Sequence, residues 1–170
     1  SVSTAVSDGD GGSDSADQTV TVTNVAPTVT LVAANVTSAA EGSTHTYTYT
    51  VTDPAGAYDP ITVDSRTCGS NGTVSNPQAT SFDCTFIDGD GDGTPTTVSV
   101  SVSDGDGGSD SDTQTVTVTN VAPTVTLDAG NDLVANEGST HTYNYSIVDP
   151  GADTVSSAQT SCASSQSTAW

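Results

Sequence analysis

The chain has 170 residues, a net charge of −20, one basic residue among Lys and Arg, and a hydrophobic fraction of 32%. So acidic a chain excludes nucleic acid and anionic membrane surfaces as partners, and no apolar run is long enough for a membrane-inserted helix. Low hydrophobicity with high net charge is also the composition of disorder, but here the apolar residues alternate with Thr and Ser in run after run, the pattern of half-buried strands.

The string SDGDGGSDSADQTVTVTNVAPTVTL at residues 7–31 returns almost unchanged as SDGDGGSDSDTQTVTVTNVAPTVTL at 103–127, an offset of 103 − 7 = 96. The same offset carries Glu41-Gly42-Ser43-Thr44-His45-Thr46-Tyr47 onto Glu137-Gly138-Ser139-Thr140-His141-Thr142-Tyr143, and Asp53-Pro54 onto Asp149-Pro150. A fixed period of this size is the signature of a tandem array. Residues 1–24 are then the C-terminal strands of one repeat, 25–120 a complete repeat, and 121–170 the N-terminal part of the next.

In chain order, Thr4 to Ser7 and Gln18 to Asn24 read as a hairpin closed by the Asp/Gly loop 8–17. Asn24-Val25-Ala26-Pro27 is a junction, because Pro27 cannot donate to a ladder. Thr28 to Val32 alternate, and 33–42 is a loop of small residues. In Ser43 to Thr52 the residues His45, Tyr47, Tyr49 and Val51 share one face and four threonines the other. A turn at 53–59 precedes a short strand at Ile61 and Val63. A turn at 69–72 and a minor edge strand at 73–75 follow. Phe82, Cys84 and Phe86 line one face of the next strand. The acidic loop 88–93, the run Val98, Val100 and Val102, the loop 104–112 and the pair Val116 and Val118 complete the repeat. About seven short strands with frequent turns and no helical period predict an all-β fold of tandem immunoglobulin-like β-sandwich repeats.

The tail from 121 onward carries only the first strands of its repeat. Either a longer array continues it, or another copy supplies strands. The head 1–24 has strands of the kind the tail lacks, but about twenty residues matching Asn76 to Thr96 would still be missing from such a composite. A longer natural chain is the preferred expectation.

Cys68 and Cys84 lie in the complete repeat, and Cys162 falls at the Cys68 position of the next after a two-residue shortening. Recurrence in a secreted-type composition predicts a structural Cys68–Cys84 disulfide, with free buried thiols as the alternative. No second Cys or His stands at zinc-ligand spacing. His45 and His141 occupy equivalent inward positions near a strand end and read as core-edge residues. No nucleophile elbow or Ser–His–Asp set can be drawn, so no enzymatic activity is expected.

The acid is almost all Asp, Glu41 and Glu137 being the only glutamates, and most of it falls in Gly-rich turns. Asp88-Gly89-Asp90-Gly91-Asp92-Gly93 has the D-x-D-x-D-G spacing with which alternate carboxylates converge on calcium. Position twelve is Ser99 rather than the Glu of an EF-hand, so neighbours would complete the site. A solvated Asp/Gly turn is the alternative. In a sandwich the turns gather at two ends. Asp53 of loop 53–59 should meet Asp104 and Asp106 of loop 104–112 at one end. Glu41 should meet Asp88, Asp90 and Asp92 at the other, with Asn120, Asp149 and Asp153 facing them across the junction.

N-V-A-P-T-V-T-L, E-G-x-x-x-x-Y-x-Y, D-P-x-G and S-D-G-D-G-G together resemble the PKD-like and cadherin-like immunoglobulin-type repeats of large bacterial secreted and surface proteins. The resemblance implies spacers in adhesins, filament or cell-wall layers, or stalks. From the cadherin-like arrangement it implies calcium bound between consecutive units beside an Asn-containing linker, which stiffens the array. The expected function is therefore a structural spacer or filament module of an extracellular fibre or surface protein, with neighbouring repeats as partners. The alternatives are a carbohydrate- or cell-surface-binding adhesin module and the stalk of a secreted hydrolase. N-x-S/T sequons at Asn35, Asn71 and Asn144 and the hydroxyl-rich faces make glycosylation a further expectation. β-propensity and solubility alone also account for those faces.

Overall fold

Alternation sets the strands, and Gly, Pro and Asp end them. The computed structural model describes residues 1–90, 93–156 and 158–162. Its elements are β1 (Val2–Ser7), β2 (Ser13–Gln18), β3 (Thr28–Leu31), β4 (Ser38–Ala40), β5 (Thr44–Thr52), β6 (Thr62–Thr67), β7 (Gly72–Ser75), β8 (Ser81–Phe86), β9 (Thr94–Ser103), β10 (Ser109–Thr119), β11 (Thr124–Leu127) and β12 (Tyr145–Val148). Among the described residues a single 3-10 turn, Gly56–Tyr58, interrupts the β structure. Among the described residues no helix is long and apolar enough to cross a membrane.

Strands β3 to β10 form two four-stranded sheets, ordered β3-β5-β8-β7 and β4-β10-β9-β6. Between them lies one core. Val29, Leu31, Tyr47, Tyr49, Phe82 and Phe86 enter it from the first sheet, and Val98, Val100, Val102, Val116 and Val118 from the second. This is the all-β, two-layer arrangement that the alternation predicts, with inward apolar and outward hydroxyl faces. Outward residues also pair across strands: Thr44 and Thr85 hydroxyls lie 2.8 Å apart, Ser65 and Ser101 2.7 Å. The buried phenols keep partners, Tyr47 donating to the Val36 carbonyl at 3.0 Å and Tyr49 to that of Ala79 at 3.0 Å. Burial pushes the Tyr47 phenol up to about 12. His45 sits half-buried at the core edge, against the Phe86 ring and the Ser43 hydroxyl.

Cys68 and Cys84 are joined in a disulfide, with Cα atoms 5.6 Å apart. Cys68 follows β6 and Cys84 lies on β8, so the bond ties one sheet to the other. Cys162 is an exposed free thiol.

Three elements differ from expectation. Residues 38–40, expected within a loop, form β4, which pairs in parallel with the end of β10. Three residues, Ser38-Ala39-Ala40, are too short to carry a period. The loop expected at 104–112 closes by 108, and β10 begins at Ser109. Asp110 and Asp112 therefore belong to a strand, where their carboxylates accept the Val29 and Leu31 N–H groups at 2.9 and 2.8 Å. They satisfy the edge of β3 that no strand covers. In the head, β2 covers 13–18 rather than 18–24. In the longer hairpin, Val116 and Val118 pair with Thr96 and Thr94.

Outside the two sheets the same registers recur. β1 and β2 pair Val2 with Gln18, as β9 and β10 pair Val98 with Gln114. β11 and β12 pair Thr124 with Val148, as β3 and β5 pair Thr28 with Thr52.

Candidate metal centres

Among the described residues two groups of carboxylates converge, one at each end of the paired sheets. At the first end oxygens of Asp53, Asp59 and Asp104 lie within 4.8 Å of one another; at the second those of Glu41, Asp88 and Asp153 do so.

The first group is built by two turns. Asp104 closes its own loop: Oδ1 accepts the N–H groups of Asp106 and Gly108, each at 2.9 Å. Gly108 is required there, since a Cβ would collide with the Asp104 carboxylate and stand 2.7 Å from Ala26 Cα. Asp8 repeats this clip with Asp10 and Gly12, also at 2.9 Å. Asp104 Oδ2 accepts the Asn24 side-chain amide at 2.7 Å. That bond, followed by those of the two N–H groups, holds the buried Asp104 below the usual carboxylate range. Asp53 lies in the preceding turn, where Oδ1 accepts Ala55 N–H at 2.7 Å. Asp53 Oδ2 is buried with no hydrogen-bond partner. Asp59 is only 7% exposed. Burial first, and then the Asp104, Asp106 and Asp53 carboxylates, push its pKa up. Asp106 itself is exposed at the loop tip.

The second group spans a junction. Glu41 is 2% exposed, with Oε2 accepting Gly89 N–H at 3.0 Å and Oε1 accepting Val121 N–H at 2.7 Å. Against it lies the Pro150-Gly151 turn: a Cβ on Gly42, whose φ is +73°, would stand 3.1 Å from Pro150 Cβ, and one on Gly151 3.0 Å from the Glu41 carboxylate. Burial first, and then the nearby Glu41, Asp88 and Asp149 carboxylates, raise the Asp153 pKa. Asp149 Oδ1 is buried without a partner.

Among its described residues, the D-x-D-x-D-G loop contributes Asp88 to this group. Asp90 is exposed, its backbone used in the turn with Gly93 and Thr94, and Asp92 lies outside the described residues. Asn120 is exposed, whereas its counterpart Asn24 reaches Asp104. Asp59 was not singled out individually within its loop, although Asp153, two residues short of the 96 offset, marks the same place. The chain's one basic residue neutralises neither group. Arg66 instead donates to Tyr49 Oη at 2.8 Å and the Gln78 carbonyl at 2.7 Å.

The three sequons differ in access. Asn35 is buried, and its amide pairs with Thr48, donating to the carbonyl at 2.9 Å and accepting the N–H at 3.0 Å. Asn131 makes the same clip to Asn144, both bonds at 2.8 Å. Asn71 is half-buried in a turn and Asn144 is exposed just before β12.

No protein-family model matches the chain, and no curated protein matches it in sequence.

Proposed function

We propose that the chain is part of a structural spacer in an extracellular fibre or surface protein, built of immunoglobulin-like units whose junctions bind calcium. The observation that carries this reading is the pair of orphaned oxygens. Asp53 and Asp149 occupy the same place in the repeat, 149 − 53 = 96, and each buries a carboxylate oxygen with no partner. Asp59 and Asp153 likewise correspond, and each stands in one of the two carboxylate groups. The groups are then two views of one junction. Glu41 and Asp88 belong to the unit before it. Asn24 or Asn120 belongs to the linker. Asp53, Asp59 and Asp104, or Asp149 and Asp153, belong to the unit after it.

An all-oxygen donor set of several carboxylates suits calcium, which accepts six to eight oxygens in adaptable geometry. Asp53, Asp59, Asp149 and Asp153 would hold the ion, which supplies the positive charge that the chain lacks. Asp104 and Glu41 hold the surrounding backbone. Without the ion, like charges on the two sides repel. Strand order supports the immunoglobulin-like assignment, with the first strand pair split between the sheets and β4 parallel to the last strand. The disulfide accords with an oxidising, extracellular setting. Solution scattering of the chain in calcium and in chelator tests the proposal: calcium should lengthen and narrow the distance distribution, and identical profiles would refute it.

A further inference from the structure

In the complete unit the last strand holds the first segment along most of its length, and the holding groups climb both segments together. Asp110 accepts the Val29 N–H at 2.9 Å and Asp112 that of Leu31 at 2.8 Å. Gln114 then donates its amide to the Asn35 and Val36 carbonyls at 3.2 and 3.3 Å. Beyond it the backbone takes over. Thr117 N–H donates to the Thr37 carbonyl at 3.0 Å, and Thr117–Thr119 pair in parallel with β4. The seam closes where the Glu41 N–H donates to the Thr119 carbonyl at 3.0 Å.

A register that rises on both sides means that the two segments run in the same direction. β3 lies at an edge of its sheet, with β5 on one side and no strand on the other. The two carboxylates therefore do across the sandwich what a paired strand does within a sheet. Both are half-buried, and ionised acceptors make the stronger kind of hydrogen bond.

The ends of the seam are also the ends of the unit. β3 begins directly after Pro27, and β10 ends directly before Asn120. A pull along the array thus acts on the first residue of β3 and the last of β10. In parallel segments those two points lie at opposite ends of the seam, so the pull slides one segment along the other. Sliding strains all the cross-links at once, whereas peeling would break them one by one.

We propose that Asp110 and Asp112 form a latch by which the complete unit resists tension applied through its linkers. The use of such a latch rests on the spacer reading, but the ion plays no part in it. Side chains, unlike backbone, can be changed from unit to unit. The preceding repeat has Asp14 and Gln18 at the places of Asp110 and Gln114, and Ala16 at that of Asp112, so it carries one carboxylate of the two.

Holding the 170-residue chain by its two ends at constant force, in chelator, tests the proposal. The event that belongs to the complete unit is the one that lengthens when the Cys68–Cys84 bond is reduced. Asp112→Ala, a change the preceding repeat already carries, should raise the unfolding rate at a given force at least about tenfold, the factor that one charge-assisted hydrogen bond supplies. Asp110→Ala with Asp112→Ala should raise it further. Asp83→Ala is the matched control. It removes a carboxylate that accepts the Thr46 hydroxyl at 2.6 Å and the Asn76 amide at 3.1 Å, away from the seam. It should lower the urea midpoint and leave the rate under force unchanged. Equal rates for wild type and Asp112→Ala, or a rise from Asp83→Ala as large as that from Asp112→Ala, would overturn the latch. Either result leaves the calcium reading, which scattering tests, standing.

Discussion

Glu41 reaches across eighty residues to Val121, whose N–H it accepts at 2.7 Å while its other oxygen takes Gly89 N–H at 3.0 Å. One buried carboxylate thus fixes both the loop after β8 and the first residue of the linker. Glu41→Ala leaves both N–H groups without their acceptor, at about 1–3 kcal/mol for each that stays buried. The loss should appear as a lower urea midpoint and faster amide exchange at Gly89 and Val121. Glu137→Ala, the same motif position but solvent-exposed, should leave both readings unchanged. Equal losses from the two variants would count against this role.

Individual carboxylates of these sites respond to acid with opposite signs. The Asn24 amide and then the Asp106 and Gly108 N–H groups lower the Asp104 pKa below its unfolded value. Its stabilisation is complete above the unfolded value and lost as pH falls through the native one. Asp59 and Asp153 are raised, chiefly by burial and then by neighbouring carboxylates. Their ionised forms destabilise the native state, and that cost disappears as pH falls through the raised values. In chelator, stability should therefore rise on mild acidification from neutrality, pass a maximum and fall once Asp104 protonates. Heat unfolding across a pH series measures this. A decline beginning at neutrality would contradict the assignment.

How much of this was legible depended on whether the cue was local. The division of acid between two ends followed from turn positions alone: Asp53 does meet Asp104, and Glu41 does meet Asp88 and Asp153. Asp and Gly mark turns by local backbone chemistry, and alternate turns of a sandwich fall at opposite ends. Asp110 and Asp112 were misplaced because the same residue type was answering a distant need, the uncovered N–H groups of β3. Asn35 matched a sequon, yet Asn131 at the same offset has none and makes the same backbone clip. That recurrence was the available cue to a structural role.

The Cys68–Cys84 bond joins β6 to β8 and so crosses the core. Closing a loop of about fifteen residues stabilises by roughly 3 kcal/mol in the chain-entropy treatment. Replacing both cysteines with alanine should lower the stability of the unit by about that amount and leave Cys162 as the only thiol. Urea unfolding of the double variant checks it, and a loss below about 1 kcal/mol would mean that the sheets hold their spacing without the bond.

Asp59→Asn separates an ion ligand from a solvated turn residue. The change keeps shape and removes one charge facing Asp53 and Asp104. Without metal, charge removal relieves repulsion, since the native state already disfavours ionised Asp59. The variant should then be more stable than wild type in chelator. In calcium the order should reverse, because the variant lacks a charged ligand and binds at least about tenfold more weakly, which reduces the stabilisation that mass action supplies. Paired urea titrations of both chains, with calcium and with chelator, read the crossing directly. If Asp59→Asn shifts stability by the same amount in both solutions, this carboxylate holds no ion.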